Sequence, residues 1–250
     1  GAVLDRAFLE GLVCTVHSIH EAVTGDFPRR PEPVPEALTD LAAFVRERGA
    51  AVGFAQDPDA DRLVLVDETG TPVSEELTLA LCLLSWYGRG GKGDAVVNMS
   101  TSRVNDDVAS RFGFLVHRAK VGEANVLTRR RELAAPIGGE GNGGIILPAL
   151  NPCRDSFVGM LLVLDLLARE GKPLSALVAS LPQYQMVKEK FPVTLAPDAE
   201  VRLAAAFRAA GETELAVNRE DGLRFDFPAG WIHVRESNTE PVVRLIAESR

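Results

Sequence analysis

The chain has 250 residues, 46% hydrophobic and 25% charged, the proportions of an ordinary globular protein with enough chain to bury one or two cores. Thirty-five acidic against 27 basic side chains give a formal net charge of -8, which argues against a polyanion-binding surface, so nucleic acid is not an expected partner. Three cysteines, Cys14, Cys82 and Cys153, with no CxxC or Cys/His spacing suggest neither a disulfide framework nor a zinc site and fit a reducing, cytoplasmic setting, and no apolar run approaches the ~20 residues that span a membrane.

In chain order, Val3, Leu4, Phe8 and Leu12 stand at helical spacing, and VCTVHSI (13–19) reads as a strand. DFPRRPEPVP (26–35) must be a loop, because each proline removes a donor and restricts its predecessor. A helix over EALTDLAAFVRERG follows, stopped by Gly49. AAVGFAQ then predicts a buried strand that delivers QDPDADR at its carboxyl end, and LVLVD (63–67) a second strand.

From Ser74 the pattern restarts. It predicts a helix (75–87), the glycine-rich GRGGKGD, a strand AVVNMS, a helix around VNDDVASRFG, a strand FLVHRA and a helix near 123–133. The glycine-rich PIGGEGNGG, a strand IILP and a long helix opened by Asp155 as N-cap complete the set. Beyond it come an Ala/Arg/Glu-rich helix (198–211) and alternating strand-like LAVNREDGLRFDF, WIHVR and VVRLIAES. The expected fold class is α/β: a partial α/β domain over 1–72, a second over 73–184, and a partial small α+β domain over 185–250. The opening GAVLDRAF has neither an initiator Met nor a basic-then-apolar signal, so the chain reads as a fragment.

Three loops could carry chemistry. Asp57, Asp59 and Asp61 alternate in one short connection where they repel one another, an arrangement that makes sense around a hard cation such as Mg²⁺ or Ca²⁺. An EF-hand does not fit, since Arg62 stands where the sharp turn needs Gly, and the flanks read as strands. An aspartyl-phosphate phosphatase loop fits poorly, with Asp61 in its Thr/Val place. In GGEGNGG (138–144), glycines let the backbone approach a ligand while Glu140 and Asn142, two apart, offer acceptor and donor to one polar molecule. In RESNTEPVVR, Arg235, Ser237, Asn238 and Thr239, with Arg244 returning on the next strand, supply the kit for a phosphate dianion.

Taken together and in this order, the three loops resemble those of the α-D-phosphohexomutase family: DPDADR its metal loop (often DGDADR), GGEGNGG its sugar loop (often GEMSGH), and RESNTEP its phosphate loop (often RPSGTEP). The resemblance runs the whole length and implies consecutive mixed-sheet α/β domains followed by a small α+β domain. It implies an enzyme, an isomerase that transfers phosphate within a hexose phosphate substrate through a phosphoserine and a bisphosphorylated sugar. By that resemblance Asp57, Asp59 and Asp61 would hold Mg²⁺ and Arg62 would lie beside it. Lys120 would assist, Glu140 and Asn142 would bind sugar hydroxyls, and Arg235, Ser237, Asn238, Thr239 and Arg244 would grip the phosphate not transferred.

Departures are equally specific. No TASHNP-like serine loop occurs, so the nucleophile would belong to a missing N-terminal domain of the same protein, and this piece alone should not turn over. Gly144 replaces a frequent histidine, Ala119 a frequent threonine, and Cys153 interrupts an N-x-G-R-D-like stretch. Asn142, Asn238 and NPCRD resemble archaeal-type variants and lean towards glucosamine phosphate, with mannose or glucose phosphate as alternatives and a non-catalytic sugar-phosphate module as the competing class.

Overall fold

Residues 3–31, 33–237 and 240–250 are described in the computed structural model of the chain. Helix α1 (Asp5–Gly11) buries Leu9 and leads into irregular chain, not into the strand that VCTVHSI suggests. Val13 (φ 63°) occupies the left-handed region and is 95% exposed, and residues 14–18, although alternately half-buried and exposed, join no ladder among the described residues, so no strand forms. The proline-rich segment ends in a 3₁₀ turn over Pro35–Ala37, and α2 (Thr39–Arg48) stops at Gly49, whose left-handed conformation (φ 60°) caps the helix.

Strands β1 (Val52–Gln56) and β2 (Leu63–Asp67) pair antiparallel, Val52 opposite Asp67 and Gln56 opposite Leu63, so the acidic segment is the connection of a hairpin. Leu38, Ala42 and Val45 cover this hairpin by packing on Ala55, Val64 and Val66.

Helix α3 (Glu75–Gly88) starts at the N-cap Ser74 and is buried on nearly every side, as its continuous apolar composition requires. Strand β3 (Ala95–Asn98), α4 (Val104–Arg111), β4 (Val116–Ala119), α5 (Glu123–Glu132), β5 (Ile137–Glu140), β6 (Gly144–Leu147) and β7 (Asn151–Arg154) follow. They form one mixed sheet in the order β4-β3-β5-β6-β7, parallel at β3–β4 and β3–β5 and antiparallel beyond. Two of these strands depart from expectation: β7 is unforeseen, and β5 takes in Gly138, Gly139 and Glu140 from the supposed glycine-rich loop. The glycines serve packing there, since a Cβ on Gly138 would lie 2.4 Å from the Val96 carbonyl oxygen and one on Gly139 2.2 Å from that of Gly144.

Helix α6 (Ser156–Glu170) is capped by Asp155, whose Oδ1 accepts from the N–H groups of Phe157 (2.8 Å) and Val158 (3.3 Å), as expected. Gly159 lets this helix settle onto β2, because a Cβ there would meet Leu63 Cδ2 at 2.8 Å. A short α7 (Leu174–Ala179) closes the first of two compact units, Gly1–Pro182.

The second unit, Gln183–Arg250, contains β8 (Gln185–Phe191), α8 (Ala199–Ala209), β9 (Ala216–Asn218), β10 (Leu223–Phe227), β11 (Gly230–Glu236) and β12 (Val243–Ser249). Its antiparallel sheet, ordered β8-β12-β11-β10-β9, with one helix, is the α+β architecture expected. Phe225 and Trp231 are its fully buried anchors: Phe207 of α8 meets Phe225 edge-on at 5.0 Å, and the Arg224 guanidinium lies 4.2 Å over the Trp231 ring. Among the described residues no helix is long and apolar enough to cross a membrane.

Candidate functional site

Asp57 follows β1 directly and is buried, with its carboxylate fastened from three directions. The backbone N–H groups of Asp61 (3.2 Å) and Arg62 (3.1 Å) donate to Oδ1, and Arg62 Nε donates to Oδ2. Burial works to raise the Asp57 carboxyl, but the hydrogen bonds and charge of Arg62 outweigh it and hold the group below the usual carboxylate range. Ala60 turns the connection with φ 58°, and the buried Ser156 hydroxyl at the start of α6 donates to the Ala60 carbonyl at 2.6 Å.

Exposed Asp59 and half-buried Asp61 complete the triplet, one oxygen from each of the three carboxylates lying within 4.8 Å of the others. Asp61 Oδ1 is buried with no hydrogen-bond partner among the described residues and lies 3.8 Å from Arg62 Nε. Burial and the charges of Asp57 and Asp59 push the Asp61 carboxyl up to about 6 against the pull of Arg154. An all-oxygen donor set with an orphaned buried carboxylate oxygen and surplus negative charge fits a hard divalent cation.

The sugar-loop candidates lie at the carboxyl ends of β3 and β5, where the sheet's connections diverge, β3 leading towards β4 on one side and β5 towards β6 on the other. Ligand crevices of open α/β sheets form at such switch points. Glu140 is 3% exposed. Its Oε1 accepts from Asn98 Nδ2 (2.8 Å) and the Gly122 N–H (3.1 Å), and its Oε2 from Arg154 Nη1 (2.8 Å), which leaves one acceptor direction on Oε2. Half-buried Asn142 accepts from the Gly144 N–H at 3.2 Å, and exposed Lys120 immediately follows β4 on the same edge of the sheet.

The acidic and sugar loops meet. The Leu63 N–H donates to the Gly143 carbonyl at 2.9 Å, Arg62 and Gly144 form an antiparallel bridge, and the Arg154 guanidinium touches both Asp61 and Glu140. Arg154 also lies 3.6 Å from Glu123 Oε2, and its backbone N–H donates to Glu123 Oε1 at 2.6 Å. Sequence reasoning gave neither Arg154 nor Ser156 a role. One signal was available: Arg154 immediately precedes a helix N-cap, where the helix dipole disfavours a cation unless carboxylates hold it.

In the second unit, Arg235 is buried near the end of β11 with its Nε 3.3 Å from Asp221 Oδ1. Across the sheet it stands opposite Arg244, which stands opposite Lys190, and Glu240 lies 3.8 Å from Arg244 and 3.2 Å from Lys190. The Ser237 N–H donates to the Val242 carbonyl at 2.9 Å, and Arg244 Nε is buried with no hydrogen-bond partner among the described residues. Asn238 and Thr239 lie outside the described residues.

Three models of one family match in succession: phosphoglucomutase/phosphomannomutase alpha/beta/alpha domain II over residues 2–70, alpha/beta/alpha domain III over 75–184, and the C-terminal domain over 187–250. A probable phosphoglucosamine mutase of Methanopyrus kandleri is 37% identical over 99% of this chain and 55% of its own length. A phosphoglucomutase/phosphomannomutase of Thermococcus kodakarensis is 36% identical over 100% of this chain and 55% of its own. The crystal structure of a phosphoglucomutase/phosphomannomutase family protein from Burkholderia thailandensis superposes with a TM-score of 0.83 at 28% identity, covering 99% of this chain and 54% of that one. The chain thus spans about half the length of the relatives it matches. With its three loops in family order and family models matched almost end to end, the chain belongs to the phosphoglucomutase/phosphomannomutase family.

Proposed function

We propose that the protein, at the length of its relatives, is an intramolecular phosphotransferase interconverting hexose 6-phosphate and hexose 1-phosphate, with glucosamine phosphate as the preferred substrate. The observation that carries this reading is the closure of the acidic loop on the sugar loop within one unit, through the Leu63–Gly143 hydrogen bond and the span of Arg154 from Asp61 to Glu140. A site that places carboxylates for a cation beside a polar sugar reader suits phosphoryl transfer, where catalysis is chiefly positioning and charge neutralisation.

Asp57, Asp59 and Asp61 would hold Mg²⁺, which when bound neutralises charge at the transferring phosphoryl group. Arg62 orients Asp57 and keeps it ionised. The remaining acceptor direction of Glu140, with Asn142 beside it, would fix sugar hydroxyls, and Lys120 would add a cation at the same sheet edge. Arg235 and Arg244, with Ser237, Asn238 and Thr239, would hold the phosphate that stays behind. A phosphoserine outside these residues would give its phosphoryl group to the sugar and take the other one back, so the 250-residue chain should bind without turning over.

A coupled assay of the full-length protein on the 6-phosphates of glucosamine, mannose and glucose tests the reading. Turnover is expected, with kcat/KM highest on glucosamine 6-phosphate. Asp59→Asn should reduce it by about 100-fold or more while leaving thermal stability nearly unchanged, because Asp59 is exposed. Binding that is weakened by Arg235→Ala but never followed by turnover in the intact protein would replace the enzyme with a sugar-phosphate-binding module.

A further inference from the structure

Arg154 is the side chain through which the two loops of the first unit communicate, and its surroundings give it a defined task. Its guanidinium is a planar fork, with Nη2 in contact with Asp61 Oδ2 and Nη1 donating to Glu140 Oε2 at 2.8 Å, and the side chain is only 20% exposed. A lysine ammonium is a point charge and could not satisfy two carboxylates on separate loops in this way. Asp61 is therefore divided between two cations: Arg154 holds Oδ2, while Oδ1 is buried without a hydrogen bond among the described residues, 3.8 Å from the Arg62 Nε that is itself committed to Asp57.

We infer that Arg154 is a positioning residue that acts as an internal counter-ion, competing with a divalent cation for Asp61 and linking metal occupancy to the state of Glu140. This rests on the metal reading of the acidic triplet given above. A divalent cation held by the triplet would add positive charge beside Arg154 on Asp61, so its binding would favour the hold of the guanidinium on Glu140 and Glu123, the carboxylates already beside it, whereas Arg62 stays fastened to Asp57. Conversely, any change that weakens the hold of Glu140 leaves Arg154 more firmly on Asp61 and weakens metal binding. Such linkage is reciprocal, so a group that takes Glu140 and a metal that takes Asp61 oppose one another through one side chain.

Mn²⁺ titrated into the 250-residue chain, with free ion read by electron paramagnetic resonance, tests this without any activity measurement. Arg154→Met should tighten Mn²⁺ binding by about fivefold, the order expected from removing one partly buried competing charge. Glu140→Gln should weaken binding in the parent chain and have little effect in the Arg154→Met background, a double-mutant cycle that isolates the link. Arg154→Lys keeps the charge without the span, so it should leave affinity near the parent value yet abolish the effect of Glu140→Gln, and it serves if the methionine variant does not fold. Unchanged or weaker Mn²⁺ binding in folded Arg154→Met, or an equal effect of Glu140→Gln in both backgrounds, overturns the inference while the metal site stands. Mn²⁺ binding indifferent to Asp57→Asn in every variant overturns the metal reading and the inference with it.

Discussion

His233 shows how one buried side chain can set the acid limit of a domain. It is 1% exposed in β11, and its Nε2–H donates to the Asp221 carbonyl at 2.6 Å. Burial pushes its pKa below the usual value, the nearby Arg224 and Arg235 charges push the same way, and the Asp221 carbonyl and carboxylate only partly resist. A histidine whose folded pKa is depressed takes up its proton more readily once unfolded. Its contribution to stability is therefore complete above about pH 6.5 and is lost as the pH falls from there towards the folded pKa. Urea unfolding followed through Trp231 in a Trp86→Phe background should show stability dropping as the pH falls below about 6.5, and His233→Gln, which keeps an N–H donor without a titrating ring, should flatten that drop. An identical pH dependence in the variant would remove His233 from the account. The sequence shows His233 at an alternate position between Trp231 and Arg235, but not the burial that gives it this effect. Asp57, Asp59 and Asp61 were legible because their mutual repulsion is local. The partners of Arg154 come from three distant stretches of chain and were not.

At the scale of elements, the helices were well placed whether they bury nearly every side, as α3 does, one apolar stripe, as α6 does, or little more than Val126, as α5 does, and all three fall within a residue or so of expectation. Periodicity failed where side chains do not reveal the partner. In β5, glycines that suggest a ligand-binding loop instead permit backbone contact between strands, and VCTVHSI has the right residues for a strand but pairs with no strand among the described residues. Glu140 is consequently fixed by a strand rather than carried on a loop tip, which explains how one carboxylate can meet Asn98, Gly122 and Arg154 at once. Gly138→Ala tests this assignment. A methyl group 2.4 Å from the Val96 carbonyl oxygen must separate β5 from β3, and overpacking of this kind costs about 1–3 kcal/mol. The same change at Gly138 in a solvated loop would leave stability unaltered, so a thermal melt of Gly138→Ala distinguishes the two, with a loss of several degrees expected.

The two tryptophans of the chain fall one to each compact unit, Trp86 in α3 and Trp231 in β11. Each can follow the unfolding of its own unit: the acidic triplet belongs to the first unit and the basic row Arg235, Arg244 and Lys190 to the second. A ligand that binds only the folded state stabilises it by RT ln(1 + [L]/Kd), about 2.7 kcal/mol at 100 times Kd. For the first unit, Gly1–Pro182, that amounts to roughly 5–10 °C in midpoint, and for the smaller second unit to about twice that. In a Trp231→Phe variant, where fluorescence comes from Trp86 alone, saturating Mg²⁺ should raise the unfolding midpoint by this order and inorganic phosphate should not. In Trp86→Phe the preference should reverse, because Arg235, Arg244 and Lys190, aligned by the sheet register, outnumber the Asp221 and Glu240 carboxylates beside them and gain from an anion. Equal shifts from both ligands in both variants would mean that the chain unfolds as one cooperative body, and that the division into a cation-binding and an anion-binding unit does not govern its stability.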